Sequence, residues 1–294
     1  MTRLLSLPRV GLPPLPALLL SMSSIQGGAA LAKGLFPALG FSGVTALRVG
    51  LSAVMLLLIF RPNLLALTAR QWRAAAIYGA VLGLMNLTFY ASIQYIPLGL
   101  AVTLEFLGPL AVAVGSSKRR SDLIWVALAG LGIFLITPLG GGRAIEPLGL
   151  ALALIAAALW AAYIVIGSRM TRHFSGTQGV SVGMLFAAVT VVPLSLLLGF
   201  LPSQVTAPLL LSGLLVAALS SALPYSLEMI ALRQLPKQLF SILMSLEPAV
   251  AAVLGWLVLH ELLSVSQWLA IGCVIAASVG ASWNSKRTAP EVQV

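Results

Sequence analysis

Apolar residues run through this chain in long blocks, and short polar stretches between them hold most of the charge. A helix that spans a bilayer needs about 20 mostly apolar residues, because hydrocarbon offers its backbone no hydrogen-bond partner. By that length the pattern predicts ten helices, near 15–35, 42–60, 74–94, 98–116, 123–139, 147–167, 178–200, 209–232, 238–259 and 264–283. The tightest separations are the turns at Tyr95-Ile96-Pro97 and Gln234-Leu235-Pro236. The expected fold is an all-α polytopic membrane protein.

Composition agrees. Hydrophobic residues fill 60% of the 294 positions, charged residues 8%, and mean hydropathy is +1.05. A soluble core of this length would expose much of that apolar sequence, so lipid is the expected solvent. The net charge of +10 raises the question of a nucleic-acid partner. Assigning loops alternately from a cytoplasmic N-terminus puts 14 of the 17 Lys and Arg on one side. The opposite side keeps Arg143 and Lys33, and Arg48 falls inside the second helix. Such an imbalance reports topology, with both termini cytoplasmic, and no basic patch interleaved with aromatics points to nucleic acid. Residues 1–14 and 285–294 then form cytoplasmic tails. Arg3 and Arg9 before an apolar stretch, with Ala30-Leu31-Ala32 after it, resemble a cleavable signal. Removal would invert the match between loops and charge, so an uncleaved first helix is expected. The single Cys273 excludes an internal disulfide and a thiolate metal cluster, and reads as packing.

The chain repeats weakly. Shifted by 139 residues, Pro97 falls on Pro236, Pro109 on Pro248 and Asp122 on Glu261, with no gap between the first two pairs. The expected units are 15–140 and 147–284, each of five helices. An odd number of spans forces the second unit to lie upside down, giving an inverted-topology pair. Transporters use this symmetry and place substrate near the midplane between repeats, often at interrupted helices. Pro109 and Pro248 each remove a backbone donor and free a carbonyl four residues earlier, on Glu105 and on Met244. Both helices are expected to kink near the membrane centre. Pro224 marks a third kink.

Charges in hydrocarbon are costly unless they face a cavity or a partner, so each is a functional candidate. Among seven acids, Asp122, Glu146, Glu261 and Glu291 are expected in solvated loops, helix ends or the tail. Glu105 and Glu247 lie deep in the fourth and ninth spans. Met244, the counterpart of Glu105, is three residues from Glu247, so the two carboxylates share a face of related helices. They are candidates for proton coupling and for binding a substrate ammonium, against the alternative of structural hydrogen bonds at the kinks. Glu228 joins them as a coupling candidate, or as a structural partner of Arg233. Arg48 and Lys33 are candidates for binding a substrate carboxylate or for gating, against structural ion pairing; an arginine fork suits carboxylate. Gln26, Asn86, Tyr90, Trp160, Tyr163 and Tyr225 are candidate cavity-lining residues. Gly79 with Gly83, and Gly272 with Ala276 and Gly280, offer small residues for close helix contact.

No His-Glu-x-x-His, phosphate-binding loop or Gly-x-Ser-x-Gly elbow is present, and His173 and His260 are isolated. No metal, cofactor or enzymatic activity is expected. No repeated selectivity element suggests a channel. The strings SIQGGAALAKGLFP from Ser24, GVTALR from Gly43, SIQYIPLGLAVTLEFLGPLAVA from Ser92, ALPYSLEMIAL from Ala222 and LMSLEPAVAAV from Leu243 carry a family likeness. With them, residues 20–283 resemble the EamA-type drug/metabolite transporters, and within these the bacterial inner-membrane exporters of threonine and homoserine. The resemblance implies export of small neutral amino acids in exchange for protons, with an exporter of organic cations or drugs as the alternative. Substrate, protons and the bilayer are the expected partners. A homodimer is compatible with the sequence.

Overall fold

The computed structural model describes residues 13–115, 123–136, 146–170, 173–174, 178–235 and 237–285. Helices are the only regular structure among the described residues. In chain order they are α1 (Pro14–Gly34), α2 (Phe36–Phe60), α3 (Ala69–Tyr95), α4 (Leu98–Glu105), α5 (Leu107–Gly115), α6 (Leu123–Ile136) and α7 (Pro147–Met170). There follow α8 (Gln178–Leu197), α9 (Ala207–Ala217), α10 (Leu223–Gln234), α11 (Lys237–Met244), α12 (Glu247–Leu259) and α13 (Val265–Ser285). Eight helices are long and apolar enough to cross a membrane, counting Leu98–Gly115 and Ile242–Leu259 as one each. The segments expected at 123–139 and 209–232 contain shorter apolar helices, Leu123–Leu135 and Ala207–Ser221.

Boundaries follow local chemistry. Pro13 and Pro14 open α1, and Pro97 precedes α4, where a missing N–H costs no helical bond. Thr68 and Gln71 cap α3 reciprocally. The chain enters α2 six residues before the expected start of 42, because Gly40 (φ +65°) supplies a break only glycine takes readily.

The expected kinks are interruptions. One helix ends at Glu105 and the next begins at Leu107; the later pair is parted by Ser245 and Leu246. Phe106 and Ser245 are 139 residues apart, the spacing of the sequence repeat. Pro109 and Pro248 sit in the first turns of α5 and α12, where proline is tolerated. Upstream of Pro224, residues Ala218–Ala222 form one π-helical turn joining α9 to α10.

Helices distant in sequence interlock. α1 packs on α10 and α12, α2 on α8 and α9, α3 on α7 and α8, α4 on α7 and α12, α5 on α7, and α6 on α13. Gly79 and Gly83 allow a close crossing: a Cβ at Gly79 would meet the Gly183 carbonyl, and one at Gly83 would lie 2.9 Å from the Ala187 carbonyl. Gly280 receives the Trp125 ring, whereas Gly272 faces open space. Leu58, Leu211 and Leu257 are among many large apolar side chains on the outside, which lipid suits. Glu105 and Glu247, by contrast, are turned inward.

Candidate functional site

The two interruptions bring acids to the centre. Glu105 is the last residue of α4 and Glu247 the first of α12, and both are buried (8% and 5% exposed). Glu247 accepts a hydrogen bond from Gln26 Nε2 of α1 at 2.8 Å. Glu105 makes no hydrogen bond among the described residues, and its carboxylate lies within electrostatic reach of both Glu247 and Arg48.

Arg48 reaches in from α2. Its guanidinium donates to Asn86 Oδ1 and sits over the Tyr90 ring, 5.1 Å from the centroid. Asn86 is held in that orientation because its Nδ2 donates to the Leu82 carbonyl one turn back, at 2.8 Å. Tyr90 packs against Phe36 and Phe89. Thus α1, α2, α3, α4 and α12 each contribute a polar side chain to one buried polar cluster, here called the chamber. Four buried polar atoms there have no hydrogen-bond partner among the described residues: Gln26 Oε1, Arg48 Nε, Tyr90 Oη and Ser220 Oγ. Unsatisfied buried groups cost roughly 1–3 kcal/mol each. Their concentration around paired acids and one arginine marks a place built to receive polar atoms.

Other expected residues fall elsewhere. Glu228 accepts a hydrogen bond from Ser21 at 2.9 Å, which supplies the structural partner that the sequence assigned to Arg233; the Arg233 side chain lies outside the described residues. Glu228 lies within electrostatic reach of Glu247 and Tyr163. Tyr163 is hydrogen-bonded to Tyr78 at 2.9 Å. Pro224 contributes its carbonyl as a second acceptor for Ser21. The Tyr225 side chain is outside the described residues.

Lys33 and Glu261 correct an expectation. Glu261 does not stand in solvent; it pairs with Lys33 at 2.6 Å, with side chains only 14% and 20% exposed. Lys33 also donates to the Ile96 carbonyl, and Glu261 accepts the Leu98 N–H at 2.8 Å. A carboxylate at that N–H answers the unpaired donors and positive end of α4. One cluster therefore ties α1, the turn between α3 and α4, and the end of α12. The carboxylate that Lys33 binds comes from the chain itself.

Beyond the interruptions, on the side away from this cluster, a cavity of about 200 Å³ opens between α5, α7, α11 and α13. Phe106, Pro109, Trp160, Met244, Ser245 and Ser278 are among its walls. Trp160 meets Phe106 edge-on at 5.0 Å, so this predicted lining residue belongs to the cavity and not to the chamber. No group of three or more metal-ligating side chains occurs among the described residues.

Comparison with known proteins places the chain. Residues 147–283 match the EamA-like transporter family. The chain is 49% identical to the threonine/homoserine exporter RhtA of Escherichia coli K12 over 272 residues, 92% of this chain and 91% of that one. RhtA of Salmonella typhimurium SL1344 is likewise 49% identical, over 93% and 92%. An uncharacterized inner membrane transporter of Escherichia coli K12, YedA, is 29% identical over 83% and 81%. A protein of known crystal structure superposes with a TM-score of 0.58 over 92% of this chain and 98% of its own, at 16% identity, a likeness of fold alone. The chain belongs to the EamA-like transporter family.

Proposed function

We propose that this protein exports small neutral amino acids, threonine and homoserine among them, across the bacterial inner membrane in exchange for protons. The observation that carries the reading is the chamber itself. Glu105 and Glu247 oppose Arg48 within one buried space, and Arg48 keeps an unpaired N–H. Opposite charges at fixed separation suit a zwitterion: ammonium toward Glu105, carboxylate toward the arginine fork. RhtA, by its name, exports these two amino acids, and the likeness spans nearly both chains.

The architecture we infer has ten spans in two inverted five-helix repeats, with both termini cytoplasmic. The packing pattern supports it. Number the spans so that α4 with α5 is the fourth, α9 with α10 the eighth, and α11 with α12 the ninth. The first span packs on the eighth and ninth, as the sixth packs on the third and fourth. Second with seventh, fourth with ninth and fifth with tenth are self-paired under the same exchange.

Alternating access follows from the two ends of the chamber. The Lys33–Glu261 cluster closes the side assigned to the periplasm. The cavity wall residues Ala113 and Ser282 lead in sequence toward Lys118 and Lys286, on the side assigned to the cytoplasm. Substrate enters inward, its ammonium meeting Glu105; closure inward and opening outward expose Glu105 to protons that displace it. A carrier of organic cations would share the acids. A buried arginine beside the acids disfavours such a substrate.

The test is labelled threonine uptake into inside-out vesicles under an imposed pH gradient, for wild type and Glu105→Gln. Gradient-driven uptake that the substitution abolishes is expected. Uptake equal to that of vesicles without the protein refutes amino-acid export, and unchanged uptake in Glu105→Gln removes Glu105 from the coupling path.

A further inference from the structure

Two unpartnered hydroxyls in the chamber face each other. Tyr90 Oη of α3 and Ser220 Oγ are close enough to interact, yet neither completes a hydrogen bond of acceptable distance and angle. Ser220 reaches the chamber by an unusual route. It belongs to the π-helical turn Ala218–Ala222, where one extra residue per turn rotates consecutive positions relative to an α-helix. The neighbouring Ser221 is then satisfied by Ser52 of α2 at 2.8 Å, while Ser220 is left open. Ser24 of α1 fixes the same turn by donating to the Leu219 carbonyl at 2.6 Å. Gly28 leaves the space that Ser220 occupies: a Cβ there would come within 2.6 Å of Ser220 Oγ.

Two neighbouring hydroxyls with spare donor and acceptor capacity suit a third hydroxyl that bonds to both. Such a group could accept from one and donate to the other. The amino and carboxylate groups of an amino acid are already matched by Glu105 and Arg48, so this pair addresses a different part of the molecule. We propose that Tyr90 and Ser220 form the subsite that recognises the side-chain hydroxyl of the substrate, and so select hydroxy-amino acids over their aliphatic isosteres. The proposal rests on the amino-acid reading above.

Discrimination by shape alone would be weak, because valine replaces the threonine hydroxyl by a methyl group of similar size. A site that hydrogen-bonds a hydroxyl rejects the analogue lacking it, since the analogue strands buried polar groups. The experiment measures threonine and valine uptake, and homoserine and norvaline uptake, in proteoliposomes holding wild type, Ser220→Ala or Tyr90→Phe. Wild type is expected to favour each hydroxylated member. Either variant is expected to lower the threonine-to-valine ratio roughly tenfold, the worth of about one hydrogen bond. Ligand-induced thermal stabilisation of the purified proteins reads the same ratio for a variant that binds without transporting. A wild-type ratio in either variant overturns the proposal and assigns the space to a resident water. A wild type that moves threonine and valine equally overturns the hydroxyl subsite but leaves amino-acid export standing. A wild type that moves no amino acid overturns both.

Discussion

Neutralising Glu261 should open the end of the chamber that Lys33 closes. In the present state the pair is 2.6 Å apart, and at an effective dielectric near 20 its gross attraction is about 6 kcal/mol. Desolvation of two partly buried ions cancels much of that. Exposed pairs are worth about 0–1 kcal/mol, and breaking a fully buried pair costs about 3–5 kcal/mol. With side chains 20% and 14% exposed, the net value should fall between, about 1–3 kcal/mol. Glu261→Gln keeps an acceptor for the Leu98 N–H and removes the charge, which isolates the ionic part. If the cluster exists only when this end is closed, its loss shifts the closed-to-open equilibrium by a factor of roughly 5–150. The assay places a cysteine at Ala29, buried on α1 between Gln26 and Lys33, in a Cys273→Ser background. The labelling rate by an impermeant maleimide from the Lys33 side should rise by at least about fivefold in Glu261→Gln and in Lys33→Met. The double variant should label no faster than the faster single one, since both remove one interaction. Labelling at the wild-type rate in Glu261→Gln, or additive effects in the double variant, would refute the latch.

Arg48→Gln should abolish threonine uptake, whereas Arg48→Lys should retain a small part, because the ammonium restores charge without the planar fork. Uptake assays at saturating and limiting threonine separate lost binding from lost turnover. Gly79→Leu should drive α3 off α8 and lower the thermal unfolding midpoint in detergent; overpacking typically costs about 1–3 kcal/mol, and Gly79→Ala should show a smaller drop. Ser21→Ala should leave Glu228 without its described hydrogen-bond donor, at about 1–3 kcal/mol, and is expected to lower stability more than Ser168→Ala on the protein's surface.

Much of the helical plan was written in the spacing of apolar runs, because lipid leaves the backbone one economical solution per span. The proline pair at 109 and 248 located both interruptions for a local reason: a missing donor acts on its own helix wherever that helix lies. Glu261 was read as solvated because its partner, Lys33, is 228 residues away and nothing local announces it. The same distance problem hid Ser21 from Glu228, whose sequence neighbour Arg233 looked the natural partner. Ser220 gave no signal at all. A serine in an apolar run is common, and the π-helical turn that aims it inward depends on packing against α1 and α2, which periodicity does not encode. Trp160 was read as a cavity-lining residue, and it walls the cavity between α5, α7, α11 and α13.

The two interruptions are related by position but not by what they present. At the first, Glu105 ends α4, and the chain resumes as a helix after Phe106. It is thus the residue at the C-terminal end of α4, where the dipole places negative potential. At the second, Glu247 opens α12, so the dipole and the Gln26 amide both face its charge with positive potential. A cation arriving in the chamber therefore meets a carboxylate already answered at Glu247 and one unanswered at Glu105, save for the Arg48 field. Under the proposed function, exchange of proton for ammonium belongs at the unanswered carboxylate, because there the incoming cation supplies an interaction that the protein does not. Glu247 then serves by holding α1 to α12 through Gln26 and by setting the field that Glu105 feels. Removing its charge should slow export without uncoupling it, and Glu105→Gln should uncouple it. The two breaks lie 139 residues apart, and a shift of three residues in where the acid falls gives the two carboxylates different surroundings.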